Sequence, residues 1–459
     1  MTRPLVAALA AFLAIAAVFS APAAADADAT ILSATIENGY PKTITFKLSA
    51  RAESDITDVA LSYAIAGRRT SAIGRPESLT PGKSADVQVV VQVNSGQSYI
   101  PVGSFFTYHW EITTADGKTT SSPEATYLFL PPGQEWKSVK NEFMEVYYRS
   151  DNENLANTYL KAGQETYQRA GILLDVTLKQ IPVRVILFNN EKELDPARPG
   201  GSTGRFNEAV TTCGTKVTND IVLVIPVACG SSDRTDTLRH EFGHILNEEA
   251  GIGPLGKLPS WLDEGTAVYL QSSPGSGYIS AFDSAARASR LIPFAQMNTP
   301  SSDPGTVNLF YGQAYAMVKY LVDNGGEAKY ALLFATIKKG SRFDDALKQV
   351  YGFDLATFEA DFRTAYGVSS PNPTSVPTRP QQAQPTVVAT ARPSNGAAQG
   401  TGKEDGLDRE VYIFIGGALL LALVAVFLFL LAQLLAANRR TAAKEHQPPP
   451  GDWKRPPGE

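Results

Sequence analysis

His240-Glu241-Phe242-Gly243-His244 and, past a Gly-rich turn, Trp261-Leu262-Asp263-Glu264-Gly265 are the two blocks on which this chain's reading turns. The first is an H-E-x-x-H string. Residues i and i+4 are neighbours on a helix surface, so His240 and His244 can grip one ion with the Glu241 carboxylate beside them. Zinc bound by imidazole and carboxylate takes three protein ligands in tetrahedral geometry and keeps a position for water. Of the chain's 4 histidines, His109 lies in an N-terminal β-rich region and His446 lies beyond an apolar span. The third ligand should therefore be acidic. Glu264, opening the second helical stretch, is the candidate, and Asp263 competes with it. Ser260-x-x-Asp263 fits a capping-box-like start, which gives Asp263 a structural task and leaves Glu264 for the ion. A chance H-E-x-x-H would also have to supply the downstream Glu, helices on both sides and an exported setting.

The ends of the chain set that compartment. Residues 1–25 read as a signal peptide: Arg3 is the positive n-region, Leu5 to Phe19 the apolar stretch, and Ala23-Ala24-Ala25 the cleavage site. Val411 to Ala437 carries no charge and exceeds the roughly 20 apolar residues that a membrane span needs. Asn438-Arg439-Arg440 and Lys444 follow the span, whereas Lys403 to Glu410 before it is on balance acidic. The positive-inside rule then makes residues 438–459 a cytoplasmic tail. The expectation is a single-pass type I protein of the cell membrane, its catalytic part extracellular.

The 459 residues suggest roughly two or three domains. A net charge of −5 points to no nucleic-acid partner. Cys213 and Cys229, the only cysteines, fall in the exported part, where an even count favours a disulfide over two free thiols.

Residues 26–133 read as an all-β, immunoglobulin-like or fibronectin-like sandwich. Thr43 to Leu48, Val87 to Val93 and Phe106 to Ile112 alternate at period two, and Pro81-Gly82 and Asp116-Gly117 punctuate them. His109, beside Trp110, reads as a strand residue. Pro131-Pro132-Gly133 marks the boundary. A strand at Phe143 to Tyr148, a helix over 152–170 and a strand at Ile181 to Phe188 follow. Asp195 to Thr212 reads as a loop. Ile221 to Val227 reads as a strand that Pro226 consigns to a sheet edge. The first metal helix is expected over about Arg234 to Glu249, capped by Asp233 or Thr235 and ended by Gly251 and Gly253. Further helices are expected at Ala314 to Val322, Ala328 to Lys338, Phe343 to Tyr351 and Leu355 to Tyr366. Residues 369–410 are a Pro-rich flexible linker, spanning roughly 35 Å as coil or up to roughly 120 Å extended.

The H-E-x-x-H string with a downstream Glu resembles the gluzincin metallopeptidases, and Leu258 to Gly265, as L-P-x-W-L-x-E-G, is most similar to their peptidase MA-like families. The resemblance implies a thermolysin-like α+β catalytic domain over 134–368 and one zinc ion on His240, His244 and Glu264. It implies a peptide or protein substrate, with Glu241 as general base. It also implies a Tyr or His from a later helix as oxyanion donor. No histidine remains, which leaves Tyr311 and Tyr315, with Tyr311 nearer the family's position. In gluzincins the strand leading into the motif helix binds extended substrate, a place that Ile221 to Ile225 would take. Thermolysin-like members carry an Asp four residues after the ligand Glu. Val268 stands there, so the partner of the ligand histidine must come from elsewhere. The competing reading is a surface recognition or adhesion protein with a non-catalytic peptidase-like domain, which would have no need of Glu241.

Overall fold

The computed structural model describes residues 29–95, 98–179, 182–199, 213–256, 258–299 and 304–368. Residues 1–25, 411–437 and the linker lie outside the described residues. Among the described residues, no helix is long and apolar enough to cross a membrane.

The N-terminal region is β-rich. Its strands are β1 (Ala29–Gly39), β2 (Thr43–Ile65), β3 (Ser71–Gly74), β4 (Gly82–Gln92), β5 (Asn94–Ser95), β6 (Ser98–Tyr99), β7 (Phe105–Thr114), β8 (Thr119–Ser121) and β9 (Ala125–Leu128). The expected period-two runs lie in β2, β4 and β7. Along β2, Ile44, Phe46, Leu48 and Ala50 are buried while the residues between them are half-buried, the signature of one face on a core. The first half of β2 pairs with β1 and β4, and its second half with β3 and β7. The register shifts between Arg51 and Ile56, where β2 changes partners. Through β2, seven strands form one hydrogen-bonded sheet. His109 pairs across the sheet with Ser62 and meets Glu111 at 3.2 Å.

A second sheet has the order β10–β11–β12–β14–β13: β10 (Trp136–Lys140), β11 (Met144–Arg149), β12 (Val183–Leu187), β13 (Gly214–Thr218) and β14 (Ile221–Val224). β11, β12 and β14 are parallel, and the outer pairs are antiparallel. The expected β-α-β order holds, with α1 (Glu153–Leu174) between β11 and β12. The expected edge does not. β14 is paired on both sides, and the edge strand is β13. Pro226 lies past the end of β14, so its missing N–H costs no ladder bond.

The two faces of this sheet serve different cores. Val222 and Val224 of β14 pack with Leu238, Phe242 and Trp261 in the helical layer. Ile221 and Leu223 point the other way and share a core with Val102, Trp110 and Phe129 of the N-terminal region. Alternation along one strand thus welds the two parts of the chain together. Buried Arg184 of β12 adds a polar tie, pairing with Asp220 and donating to Gly103 O at 2.6 Å.

The helical part contains α2 (Asp236–Gly251), α3 (Ser260–Tyr269), α4 (Ser276–Arg287), α5 (Pro304–Lys338), α6 (Phe343–Tyr351) and α7 (Leu355–Ala365). α5 breaks at Gly326, with φ 78° and ψ 162°, so the two expected helices there are its two arms.

Candidate metal centre

α2 presents His240, Glu241 and His244 along one face, and α3 brings Glu264 against them. Nε2 of His240 stands 3.2 Å from Nε2 of His244, and Oε2 of Glu264 lies 3.3 and 3.4 Å from these two nitrogens. Tetrahedral ligation with bonds of about 2.0–2.1 Å separates ligand atoms by roughly 3.3–3.4 Å. The three atoms therefore already stand at the edges of a tetrahedral site, and together they can hold a metal ion. Glu264 Oε2 is buried with no hydrogen-bond partner of its own among the described residues, as a ligand-facing oxygen should be. Burial alone would raise the Glu264 pKa, but the His244 and His240 imidazoles carry it well below the carboxylate range. Burial would lower the His244 pKa, and the Glu264 and Asp263 carboxylates outweigh it.

Gly243 lets α3 come this close: a methyl group added there would stand 3.1 Å from Ala267 Cα of α3. On its other side α3 fits against α5 at Gly265, where a methyl group would stand 2.4 Å from Ala314 O.

Asp263 does not cap α3, whose first turn shows no side-chain cap bond; Ser260 instead donates to Asn298 O at 2.8 Å. Asp263 Oδ1 lies 2.9 Å from His244 Nδ1 and accepts from Asn247 Nδ2 at 2.8 Å. It holds the ring nitrogen opposite the one facing the site, so it orients a ligand rather than being one. The support missing at Val268 is thus supplied by the residue just before Glu264, and fully buried Asn247 pins it from one turn beyond His244.

Glu241 turns toward the edge strand. Its Oε2 accepts from the Lys216 main-chain N–H of β13 at 2.8 Å. The Lys216 side chain pairs with Glu248, farther along the same face of α2. Cys213 and Cys229 are disulfide-bonded and join the start of β13 to the segment after β14.

Of the two tyrosines that the sequence offered, Tyr311 reaches the site and Tyr315 does not. The Tyr311 ring lies 6.0 Å from that of His240, whereas Tyr315 packs beside Tyr269 at 6.1 Å. Burial, reinforced by the Glu264 and Glu241 carboxylates and a hydrogen bond to Glu264, holds the Tyr311 phenol protonated. Tyr278 of α4 stacks on Tyr311, with centroids 5.2 Å apart and planes 19° apart. Burial, then the same two carboxylates, pushes its pKa up to about 12.

Residues 173–367 match the family model of the Peptidase MA superfamily. This part of the chain is a peptidase MA-like domain. The match runs from the last turn of α1 to just past α7 and takes in every residue of the metal centre. No curated protein matches the chain. Among solved structures, Legionella pneumophila aminopeptidase A in complex with aspartic acid is similar at 10% identity and a TM-score of 0.35, over 74% of this chain and 50% of that one. The chain thus spans about half the length of that aminopeptidase. The Br derivative of BhCBM56 is similar at 13% identity and a TM-score of 0.16, over 21% of this chain and 88% of that one.

Three features of the peptidase MA-like domain had escaped the sequence: Asp263 and Asn247 behind His244, the Lys216 amide on Glu241, and Tyr278. Asn247 alone left a trace, since its spacing of i+3 from His244 puts it on the same helix face.

Proposed function

We propose that this chain is a membrane-anchored, extracellular zinc metallopeptidase of gluzincin type, hydrolysing peptide bonds. The single observation that carries the reading is the triangle of His240, His244 and Glu264 donor atoms at tetrahedral spacing, with the carboxylate of Glu241 one residue from the first. Two imidazoles and a carboxylate are a donor set suited to zinc. Zinc on these three residues would supply Lewis acidity, acidifying water and polarising the scissile carbonyl.

The chain's own groups do the rest. Glu241, fixed by the Lys216 N–H, accepts a proton from the attacking water and later returns it to the departing amine, ending as it began. Asp263 and Asn247 keep His244 in the tautomer that offers Nε2 to the ion. Tyr311, protonated and against Glu264, is the donor proposed for the developing oxyanion. Among the described residues β13 has a strand on one side alone, so its other edge is the proposed place for an extended peptide. That shelf takes the place first assigned to Ile221 to Ile225. The extracellular setting and single C-terminal span rest on residues 1–25 and 411–437 as read in the sequence.

The test is cleavage of a peptide library by the purified chain, with and without a zinc chelator. Turnover that zinc restores after chelation is the expected result. Turnover indifferent to the chelator, or none with zinc bound, refutes the reading.

A further inference from the structure

The geometry points to a docking site for an acidic peptide segment in the cleft between α1, the C-terminal end of α3 and α5, where Arg169 and Lys319 take its carboxylates. This goes beyond the metallopeptidase reading. No residue of the metal centre lines the cleft, and binding there needs no ion.

The chain carries a net charge of −5, yet this cleft collects cations. It has a volume of about 440 Å³, and Arg169, Arg239 and Lys319 line it with a single carboxylate, that of Glu165. That carboxylate is already engaged. Arg239 of α2 donates to Glu165 Oε2 at 2.6 Å, to Ala162 O at 3.2 Å and to Thr166 Oγ1 at 3.3 Å. Arg239 is thus a neutralised floor. Asp236, one turn before it, is occupied by the N–H and hydroxyl of Ser272 at 2.7 and 2.8 Å, which also fixes the rim after α3. Arg169 and Lys319 remain. Arg169 has no carboxylate partner among the described residues; its guanidinium lies 4.9 Å over the Tyr269 ring. Lys319 meets Asp323 at 2.6 Å, but both side chains are about half exposed. An exposed pair along one helix is weak and yields to an incoming carboxylate.

Two tyrosines link these cations. Tyr315, one turn before Lys319 on α5, stands with its ring 6.1 Å from that of Tyr269. Burial raises the Tyr315 pKa, and Lys319 and Arg169 both pull against that rise, so both act on the same phenol. A guanidinium laid flat on an aromatic ring keeps its planar N–H fork for a carboxylate and has little freedom left to lose. Gln271 Oε1, also in the cleft, is buried with no hydrogen-bond partner among the described residues, an acceptor suited to a peptide N–H. A lone anion has neither an N–H nor apolar surface to offer these groups. Two uncommitted cations also fall short of the roughly four to eight with which basic clusters hold an anionic membrane. A polypeptide bearing carboxylates fits all three features at once.

The test is fluorescence anisotropy of fluorescein-labelled hexaglutamate with the detergent-solubilised full chain at low salt, with and without a zinc chelator. The expected result is saturable binding that the chelator leaves unchanged and that labelled hexaglutamine does not show. Replacing both cations, Arg169→Gln with Lys319→Gln, should weaken it by roughly 10-fold or more at an unchanged melting temperature. Should that double variant not fold, either single variant decides, with an expected loss of about 3-fold. Absence of saturable binding, equal binding of hexaglutamine, or variants that bind like the parent overturn the inference. So does displacement of the label by dihexanoyl-phosphatidylserine or inorganic phosphate at lower concentration than by unlabelled hexaglutamate, which would make this a lipid or phosphate site. Binding without zinc-dependent turnover sinks the metallopeptidase reading alone, and zinc-dependent turnover without binding sinks this inference alone.

Discussion

His244 Nδ1 lies 2.9 Å from Asp263 Oδ1, and Asp263 is the residue immediately before Glu264. One short segment of α3 thus supplies both the carboxylate that completes the donor triangle and the carboxylate that orients one of its histidines. Thermolysin-like sites spread these tasks over a full helical turn. Adjacent residues on a helix point about 100° apart, so a dipeptide can do both only if α2 and α3 cross very closely, which Gly243 of α2, against Ala267 of α3, permits.

The first prediction separates the two acids. Glu264→Ala should abolish stoichiometric zinc binding, because only two imidazoles remain. Asp263→Ala should bind zinc about 10- to 100-fold more weakly, the usual consequence of removing a partner behind a histidine ligand. Zinc titration of the two purified variants reads this directly. If Asp263→Ala loses the ion and Glu264→Ala keeps it, the ligand assignment is reversed.

Glu241→Gln is the second. The amide keeps the size of the side chain but cannot accept the water proton, so zinc should stay bound while kcat falls by roughly 100- to 10,000-fold. Metal analysis of the same sample used for kinetics distinguishes this from simple loss of the ion. Parental turnover would remove Glu241 from the mechanism.

These residues were legible because their pattern is local. H-E-x-x-H and W-L-x-E-G each lie within one or two helical turns, and helical periodicity places their side chains without knowledge of the rest of the chain. What was not legible is what distant segments decide. Ser260-x-x-Asp263 satisfies a capping pattern on its own, and only the approach of His244 and Asn247 shows where the Asp263 carboxylate goes. Gly214 to Thr218 has no apolar alternation, so nothing local marked it as the strand that displaces Ile221 to Val224 from the sheet edge. Tyr278 comes to stack on Tyr311 beside a close contact of its carbonyl with Gly312, 34 residues away in sequence.

A third prediction concerns the weld between the β-rich region and the catalytic sheet. Arg184 and Asp220 are buried at 3% and 6% exposure and pair with each other. Arg184→Leu leaves the Asp220 carboxylate buried without its partner and should cost about 3–5 kcal/mol. Replacing both residues by Leu should recover much of that loss. Urea denaturation of the single and double variants measures it, and equal losses in both would mean that the pair's charge complementarity is not what matters there.

The last prediction is one of pH. Asp233 accepts from Thr235 N at 2.8 Å and Thr235 Oγ1 at 2.9 Å, just ahead of α2. The main-chain bond first, then the hydroxyl bond and the charges of Arg239 and Arg234, outweigh partial burial and lower its pKa. A carboxyl whose folded pKa is depressed adds stability that is fully present above the unfolded value of about 3.9 and fades as pH falls through the folded value. Asp233→Asn should therefore be less stable than the parent at neutral pH, with the gap closing below about pH 4. Thermal melts of both chains from pH 7 to pH 3 test this. A gap that stays constant over that range would mean that Asp233 acts through the shape of its hydrogen bonds and not through its charge.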